Sequence, residues 1–211
     1  MKKSEVVIAS GGARLEGMLV LPENAGSVVA FAHGSGSSRF SPRNNYVAGI
    51  LNNAGFATLL LDLLTPEEDR DYDMRFDIDL LARRLVAATS WIASQADTKL
   101  FKIGYFGAST GAAAALKAAS ALGDKISAVV SRGGRPDLAS DEELAHVVSP
   151  TLLIVGGLDD IVIELNQRAY LSLNCMKEMK IVPGASHLFE EPGTLEAVAF
   201  EAENWFRLNL S

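Results

Sequence analysis

The feature that most constrains the fold is residues 100–119, LFKIGYFGASTGAAAALKAA. Its first part is an apolar run typical of a buried strand, and its last part is an alanine-rich run typical of a helix. Between them stands only G-A-S-T-G, so the chain must pass from strand to helix through a very tight turn. Gly107 and Gly111 permit the close approach that such a turn imposes, because they lack a Cβ atom. The sequence therefore predicts that Ser109 lies at the apex of a strained turn, exposed at the carboxyl end of a strand.

A strand that enters a helix through G-x-S-x-G is the arrangement that presents a reactive serine. A glycine-rich turn without chemistry is the alternative, since 18 glycines make the pattern possible by chance. The apolar strand before the turn and the helix after it favour the reactive serine. A serine hydroxyl is a weak nucleophile, so the interpretation also requires a base that accepts its proton.

The chain has three histidines from which that base can come. His33 belongs to the loop after the third predicted strand. His146 lies near the end of a helix, where a histidine commonly complements the helix dipole at the surface. His187 follows the last predicted strand, and it therefore shares the carboxyl edge of the sheet with Ser109. We predict that His187 is the base.

The base needs an acid that holds its tautomer and stabilises the imidazolium. Asp159 follows a predicted strand through Gly156-Gly157-Leu158, at the same edge of the sheet. Asp160 is its neighbour, and its simpler role is to cap the helix that starts there. We therefore favour Asp159 as the acid, and the chain order serine, aspartate, histidine is the one that this type of serine site uses.

Acyl transfer also needs hydrogen-bond donors for the oxyanion that develops on the substrate. The N–H of Thr110, at the start of the helix, is one candidate. The other is expected from the loop His33-Gly34-Ser35, with Ser35 as the individual candidate. A plain glycine turn is the alternative interpretation of this loop.

Strand-like and helical patterns alternate from residue 27 onward, which predicts a mainly parallel sheet with helices on both faces. Two earlier runs joined by Ser10-Gly11-Gly12-Ala13 predict an antiparallel hairpin. The predicted strands are 5–9, 15–21, 27–32, 56–61, 101–106, 126–130, 152–155 and 177–182. The predicted helices are 42–54, 76–95, the one that follows Ser109 and ends at Gly123, 140–147, 162–171 and 195–208.

The 211 residues are most simply one domain, 1–211, with 48% hydrophobic and 21% charged residues. A net charge of −7 disfavours nucleic acid and anionic membranes as partners. Cys175 is the only cysteine, which excludes an internal disulfide and fits a reducing compartment. We see no secretory leader and no membrane-spanning run, so we expect a cytoplasmic protein.

Two arginines and one acidic run are further candidates. Arg132 and Arg135 follow a strand at the same edge and could bind a substrate carboxylate or phosphate, although the simpler interpretation is that loop carbonyls or nearby acids hold them. The aspartates of residues 69–79 alternate, but the positions that a calcium loop requires to be glycine and glutamate hold Met74 and Leu80. We expect neither a metal nor a cofactor, and residues 34–39 lack the third glycine of a dinucleotide-binding turn.

The chain resembles the α/β-hydrolase superfamily over nearly its whole length, through four motifs. They are HGSGSS at 33–38, GASTG at 107–111, GGLDDIV at 156–162 and GASHLFEEPG at 184–193. It is most similar to the small branch typified by dienelactone hydrolase and carboxylesterase-like relatives. The resemblance implies an eight-stranded α/β-hydrolase fold without a cap domain, and it places the acid on Asp159.

Dienelactone hydrolases carry cysteine where this chain has Ser109, so the resemblance implies a serine carboxylesterase instead. We expect it to cleave small carboxylic esters, with residues 62–78 and 132–138 as pocket walls. A thioesterase or acyltransferase on the same residues, and a non-catalytic binding protein of this fold, are the alternatives. The oligomeric state stays open.

Overall fold

The structure, a computed structural model, describes residues 1–210 and builds them around an eight-stranded sheet. The spatial order is β1-β2-β4-β3-β5-β6-β7-β8, and all pairs from β4 to β8 are parallel. The first two strands form an antiparallel hairpin that also pairs antiparallel with β4. The strands are β1 (Lys2–Ser10), β2 (Ala13–Leu21), β3 (Ser27–Ala32), β4 (Ala57–Leu61), β5 (Lys102–Ala108), β6 (Ala128–Arg132), β7 (Thr151–Gly156) and β8 (Lys177–Val182). The predicted fold class is confirmed.

Six α-helices cover the two faces of the sheet within residues 1–210. Two of them, the first and the last, pack together on one face, and the other four pack in chain order on the opposite face. They are α1 (Pro42–Asn53), α2 (Ile78–Ser94), α3 (Thr110–Leu122), α4 (Asp141–Ala145), α5 (Asp160–Ser172) and α6 (Thr194–Leu210). No cap domain lies over the strand ends in this part of the chain.

The central strands are buried on both faces, which explains why their sequences do not alternate. Every residue of β3 is buried: Val28 and Ala30 face the core under α2 and α3, whereas Val29 and Phe31 face the core under α1 and α6. On the second face the Phe31 ring lies 4.9 Å from that of Phe106 in β5, measured between centroids. A strand that is apolar on both sides belongs in the middle of a parallel sheet.

The connections place a crevice between β3 and β5. The chain leaves β3 toward α1 on one face and leaves β5 toward α3 on the other, and the two strands are neighbours. In open α/β sheets, ligands bind outside the carboxyl ends of the strands where the winding direction changes in this way. The loop that begins at His33 and the turn at Ser109 both lie at this point.

The element ends differ from the predicted ones where pairing or capping overrides local composition. Residues 62–77, most of which lie between the predicted strand 56–61 and the predicted helix 76–95, contain the short 3-10 helices Glu68–Arg70 and Asp73–Phe76. Helix α2 begins at Ile78, because the Asp77 carboxylate accepts a hydrogen bond from the Leu80 N–H (2.9 Å) and so caps the helix. β6 extends to Arg132 because it continues to pair with both neighbouring strands.

None of the helices formed by residues 1–210 combines the length and the apolar character that a membrane crossing requires.

Candidate active site

The turn at Ser109 is strained, and its packing requires two glycines. Ser109 has φ +51°, which non-glycine residues rarely adopt. A Cβ atom on Gly107 would lie 2.5 Å from Ala112 Cα, and one on Gly111 would lie 2.5 Å from the His33 carbonyl oxygen. Both neighbours are backbone atoms at the meeting of strands and helix, so the glycines let the turn close on itself.

Both backbone groups of Ser109 are hydrogen-bonded to the turn after β6, residues 132–135. The Ser109 N–H donates to the Arg132 carbonyl (3.2 Å), and the Ser109 carbonyl accepts from the Arg135 N–H (3.1 Å). These bonds help to hold a conformation that would otherwise cost on the order of 1–3 kcal/mol. The serine side chain is half-buried and remains reachable from outside.

His187 and Asp159 meet Ser109 in one line of hydrogen bonds. His187 Nε2 lies 3.3 Å from Ser109 Oγ, and His187 Nδ1 lies 2.6 Å from Asp159 Oδ2. Because an ionised carboxylate can only accept, the proton on the neutral ring belongs on Nδ1. The Nε2 lone pair is then directed at the serine hydroxyl. The structure thus brings together the three side chains that the sequence singled out from three separate strand ends.

The two adjacent aspartates take different positions from one another. Asp159 is mostly buried, at 16% side-chain exposure, and its carboxylate reaches His187. Asp160 is exposed and is the first residue inside α5, whereas Asp159 occupies the N-cap position without a capping hydrogen bond. The prediction that Asp160 caps this helix is wrong, because the capping position falls one residue earlier and its carboxylate is engaged elsewhere.

A small recess opens next to the turn, and Thr110 lines it, whereas Ser109 itself does not. Its volume is about 10 Å³, and it is lined by Ser35, Thr110 and seven neighbouring residues: His33, Gly34, Gly36, Leu64, Asp69, Arg75 and Leu81. Gly34 is in close contact with Ser109, since a Cβ on Gly34 would lie 3.1 Å from the Ser109 Cβ. Thr110 is the first residue of α3, so its N–H has no partner within the helix. A space of this size accommodates about one oxygen-sized group.

His33 joins the two loops that border the recess. Its buried ring accepts a hydrogen bond from the Leu63 N–H at Nε2 (3.0 Å), which leaves the proton on Nδ1 to be donated to the Gly34 carbonyl (2.9 Å). Burial lowers the pKa of His33 below its usual value. The ring is therefore neutral and structural, a role that the sequence analysis missed. One signal was available: His33 directly follows the apolar run 28–32 of β3.

The two arginines after β6 have different surroundings. Arg135 forms a two-pronged ion pair with Asp137, at 2.7 and 2.8 Å. Arg132 is buried, with its guanidinium 5.7 Å from the Phe189 ring centroid and 3.5 Å from Asn44 Oδ1. Burial, with some help from the charge of Arg43, lowers the pKa of Arg132 to about 10. No carboxylate within residues 1–210 forms an ion pair with Arg132.

The segment after β4 forms one wall next to the recess, and charges hold it in place. A cleft of about 350 Å³ lies between this wall and the loop after β3, and its lining includes Phe40, Asp62 and Pro66. Buried Arg84 donates to both carboxylate oxygens of Glu68 (2.6 Å each) and thereby lowers the pKa of Glu68 to about 2.

Other candidate chemistry lies away from Ser109. In the part of the chain that the structure describes, no group of three or more His, Cys, Asp or Glu side chains is placed to hold a metal ion. His146 is exposed, and its ring bonds the Glu142 carbonyl of its own helix. Cys175 precedes β8, at the edge of the sheet opposite to Ser109, and burial raises the pKa of its thiol.

The fold and the strand-to-helix turn at Ser109 define the class as an α/β hydrolase. The sequence profile described as "Dienelactone hydrolase family" matches residues 15–208. The chain belongs to the dienelactone hydrolase family, which is a family of hydrolases.

Solved structures agree with this membership. The crystal structure of dienelactone hydrolase from Anabaena variabilis ATCC 29413 is 55% identical in sequence, with a TM-score of 0.97, and the match covers 100% of this chain and 99% of that one. Est1E from Butyrivibrio proteoclasticus is 18% identical with a TM-score of 0.81, and the match covers 97% of each chain. The second likeness concerns the fold alone.

Curated relatives are longer than this chain. Proteins named "Putative phosphoribosyl transferase" from two strains of Mycobacterium tuberculosis, CDC 1551 / Oshkosh and ATCC 25618 / H37Rv, are each 57% identical over 206 residues. The match covers 98% of this chain but 46% of each relative. The chain thus spans about half the length of these relatives.

Proposed function

We propose that this protein is a serine hydrolase that cleaves small carboxylic esters through an acyl-enzyme intermediate. The observation that carries the proposal is the line of hydrogen bonds from Asp159 through His187 to Ser109 Oγ. This is the geometry by which a serine hydroxyl is activated at neutral pH. Cys175 is too far from the turn to serve as the nucleophile, which supports a serine mechanism.

The first half of the reaction forms the acyl-enzyme. His187 Nε2 takes the proton from Ser109 Oγ as the oxygen attacks the ester carbonyl carbon, and the carbonyl oxygen becomes an oxyanion. The N–H groups of Ser35 and Thr110 stabilise that charge, each donor contributing on the order of 3 kcal/mol. When the tetrahedral intermediate collapses, the bond to the alcohol oxygen breaks and His187 gives its proton to the leaving alcohol.

The second half releases the acid. Water enters, His187 takes one of its protons, and the resulting hydroxide attacks the acyl carbon. The bond to Ser109 Oγ then breaks, the serine oxygen recovers the proton from His187, and the carboxylic acid departs. Asp159 stays ionised throughout and stabilises the imidazolium in both halves.

The recess beside Ser109 supports the oxyanion role of Ser35. His33 holds the Gly34 carbonyl, and that carbonyl shares one planar trans peptide with the Ser35 N–H. Fixing the carbonyl therefore also fixes the direction of the N–H. The buried Thr110 hydroxyl makes no hydrogen bond within residues 1–210, so this recess can receive a further polar group.

The proposal that the substrate is a small ester is supported by the residues around Asp159 and His187. Leu158, Ile161 and Leu188 are exposed and flank Asp159 and His187 along the chain. They offer apolar contacts to a small ester, and the absence of a cap over residues 1–210 leaves the site open. Arg132 remains our candidate for an acidic substrate group, whereas Asp137 already neutralises Arg135.

Two alternative activities follow from the same residues. A thioester would acylate Ser109 by the same steps, and an alcohol or amine in place of water would turn hydrolysis into acyl transfer. We do not extend the transferase name of the longer relatives to this chain, because the part they share is the part that the hydrolase family profile covers. We propose that the protein is cytoplasmic and that its partner is a small ester substrate. We expect it to bind neither nucleic acid nor membranes.

The test is labelling with a fluorophosphonate, followed by intact mass and peptide mapping. We expect a single adduct on Ser109 in the wild type and in the surface variant Ser90→Ala, and none in Ser109→Ala. Folded wild type without an adduct would contradict the proposal and favour a non-catalytic binding protein. Ester and thioester panels, run with and without a competing alcohol, then separate the alternatives by their products.

A further inference from the structure

A buried amide in α5 is connected to the backbone of Ser109. Asn166 is fully buried, and its Nδ2 donates to the Gly134 carbonyl at 3.0 Å and to the Val162 carbonyl at 2.8 Å. The second bond lies within α5. The first reaches the turn after β6, which is the turn that holds Ser109.

The link to Ser109 passes through a single peptide group. The Gly134 carbonyl and the Arg135 N–H belong to the same planar trans peptide, so they point in opposite directions. Asn166 holds the carbonyl end, and the N–H end donates to the Ser109 carbonyl at 3.1 Å. The side chain of Asn166 thereby sets the direction of a hydrogen bond to the serine backbone.

The turn has little freedom to adopt another arrangement. A Cβ atom on Gly134 would lie 2.7 Å from the Ala112 Cβ, so the turn packs directly on the first residues of α3. Ser109 keeps φ +51° only while its surroundings determine it. The hydrogen bond from Asn166 to the Gly134 carbonyl orients peptide 134–135. Losing this bond would remove part of the constraint that holds Ser109 in its strained conformation.

A purely space-filling role does not explain an asparagine here. Asn166 Oδ1 is buried and has no hydrogen-bond partner within residues 1–210. An unsatisfied buried polar atom is unfavourable, and an apolar side chain of similar shape would avoid it. What the amide provides, and an apolar side chain would not, is the pair of hydrogen bonds that Nδ2 donates to the Gly134 and Val162 carbonyls.

We propose that Asn166 is a positioning residue for the Ser109 hydroxyl, acting through the peptide between Gly134 and Arg135. This rests on the proposed function of Ser109 as nucleophile. Asn166 touches neither the substrate nor the reacting atoms. Its contribution is to keep Ser109 Oγ aligned with His187 Nε2 and with the recess, and it should therefore affect the chemical step rather than substrate binding.

The experiment compares Asn166→Leu with a matched control, Asn52→Leu. Asn52 is also buried, and it also donates to a backbone carbonyl, that of Phe56, but at the opposite edge of the sheet. We expect Asn166→Leu to lower the fluorophosphonate labelling rate about tenfold to a hundredfold. With p-nitrophenyl acetate, kcat should fall by a similar factor while KM stays within about twofold. The control should lose a comparable amount of thermal stability yet label at close to the wild-type rate.

A second readout does not depend on activity. Amide hydrogen exchange of the Arg135 N–H should be faster in Asn166→Leu than in wild type, and unchanged in Asn52→Leu. If Asn166→Leu does not fold, Asn166→Ala tests the same bond with a smaller side chain.

The outcomes separate the two proposals. Wild-type labelling rate and unchanged Arg135 exchange in a folded Asn166 variant would overturn the positioning role. Wild type that does not label would instead contradict the esterase proposal, while the exchange measurement would still decide whether Asn166 holds the turn.

Discussion

The two sides of the crevice at Ser109 are held by different forces. On one side, the turn at residues 132–135 contacts the serine through backbone hydrogen bonds, and the uncharged Asn166 supports that turn. On the other side, the wall formed by residues 62–77 is held by the ion pairs of Arg39 with Asp62 and Arg84 with Glu68 and by the hydrogen bond from the Leu63 N–H to His33, while Arg75 and Asp69 form an ion pair within the wall. Close-packed backbone resists displacement, whereas the strength of an ion pair depends on pH. The difference predicts that substitutions at the serine turn act through packing, whereas substitutions in the wall act through charge and change their effect with pH.

The largest expected effect comes from overpacking the turn at Ser109. Gly111→Ala should destabilise the protein by about 3 kcal/mol and reduce fluorophosphonate labelling at least about a hundredfold, because the new Cβ would meet the backbone carbonyl of His33. Chemical denaturation and labelling rates measure the two effects. The matched control is Gly49→Ala, a helical glycine with open space around it, which should stabilise α1 by about 0.5–1 kcal/mol. Equal stability and equal labelling rates of the two variants would contradict a tightly packed turn at Ser109.

The next effect tests the charged wall. Glu68→Gln leaves the buried Arg84 without a counter-charge and should cost about 2 kcal/mol at pH 7, measured by urea unfolding. Arg84 lowers the folded-state pKa of Glu68 to about 2, so the stabilisation is present above pH about 4.5 and is lost as the pH falls toward 2. The difference in unfolding free energy between wild type and Glu68→Gln should therefore decrease as the pH falls over that range.

The control for this prediction is an exposed pair. Glu164→Gln breaks a contact of 4.0 Å with Arg168 at the surface of α5 and should change stability by less than about 0.5 kcal/mol. If the difference in unfolding free energy between Glu68→Gln and wild type does not change with pH, the charge of Glu68 is not what stabilises the wall.

The smallest effect concerns the link between the two loops beside the recess. His33→Leu removes both hydrogen bonds of the ring, and kcat for p-nitrophenyl acetate should fall about tenfold because the Ser35 N–H is no longer oriented. The surface variant His146→Leu should keep the wild-type kcat. Equal kcat values for wild type and His33→Leu would show that the ring does not orient the oxyanion donor.

The buried His33 ring also makes a pH prediction. Its folded-state pKa is lowered by burial, so the neutral ring stabilises the protein above pH about 6.5, and that contribution is lost as the pH falls through the lowered value. His33→Leu should therefore show a weaker loss of stability below pH 6.5 than wild type does. Urea unfolding of both proteins measures this difference in stability. The measurements run from about pH 7.5 to about pH 5.5, so that they bracket the ordinary histidine pKa of about 6.5.

The sequence predicted much of the fold and which three side chains meet. Parallel strands end at one edge, so residues that follow Gly107, Gly156 and Val182 had to converge there, and the structure brings Ser109, Asp159 and His187 together. The order of elements along the chain was sufficient, because Ser109 directly follows β5, and Asp159 and His187 lie in the loops that follow β7 and β8. The misassigned cap at Asp160 was a one-residue error, and composition alone does not distinguish adjacent aspartates.

His33 and Asn166 could not be found in this way. Each of them forms one hydrogen bond with a near neighbour and one with a backbone group far away in the chain, at Leu63 for His33 and at Gly134 for Asn166. No local sequence pattern predicts the distant partner. Arg132 and Arg135 differ for the same reason. They follow the same strand closely, but Arg132 is buried and forms no ion pair with a carboxylate of residues 1–210, whereas Arg135 pairs with Asp137.

The sequence by itself determined the alternation of strands and helices, the tight turn at Ser109 and the edge at which the candidate residues collect. These depend on periodicity and on the space that glycine leaves, which are local properties. Tertiary structure alone decided which tautomer His187 carries, which side chains hold the serine backbone and which interactions stabilise the two sides of the crevice. Those depend on distances between segments that meet only when the sheet is assembled, because a hydrogen bond acts over about 3 Å and not along the chain.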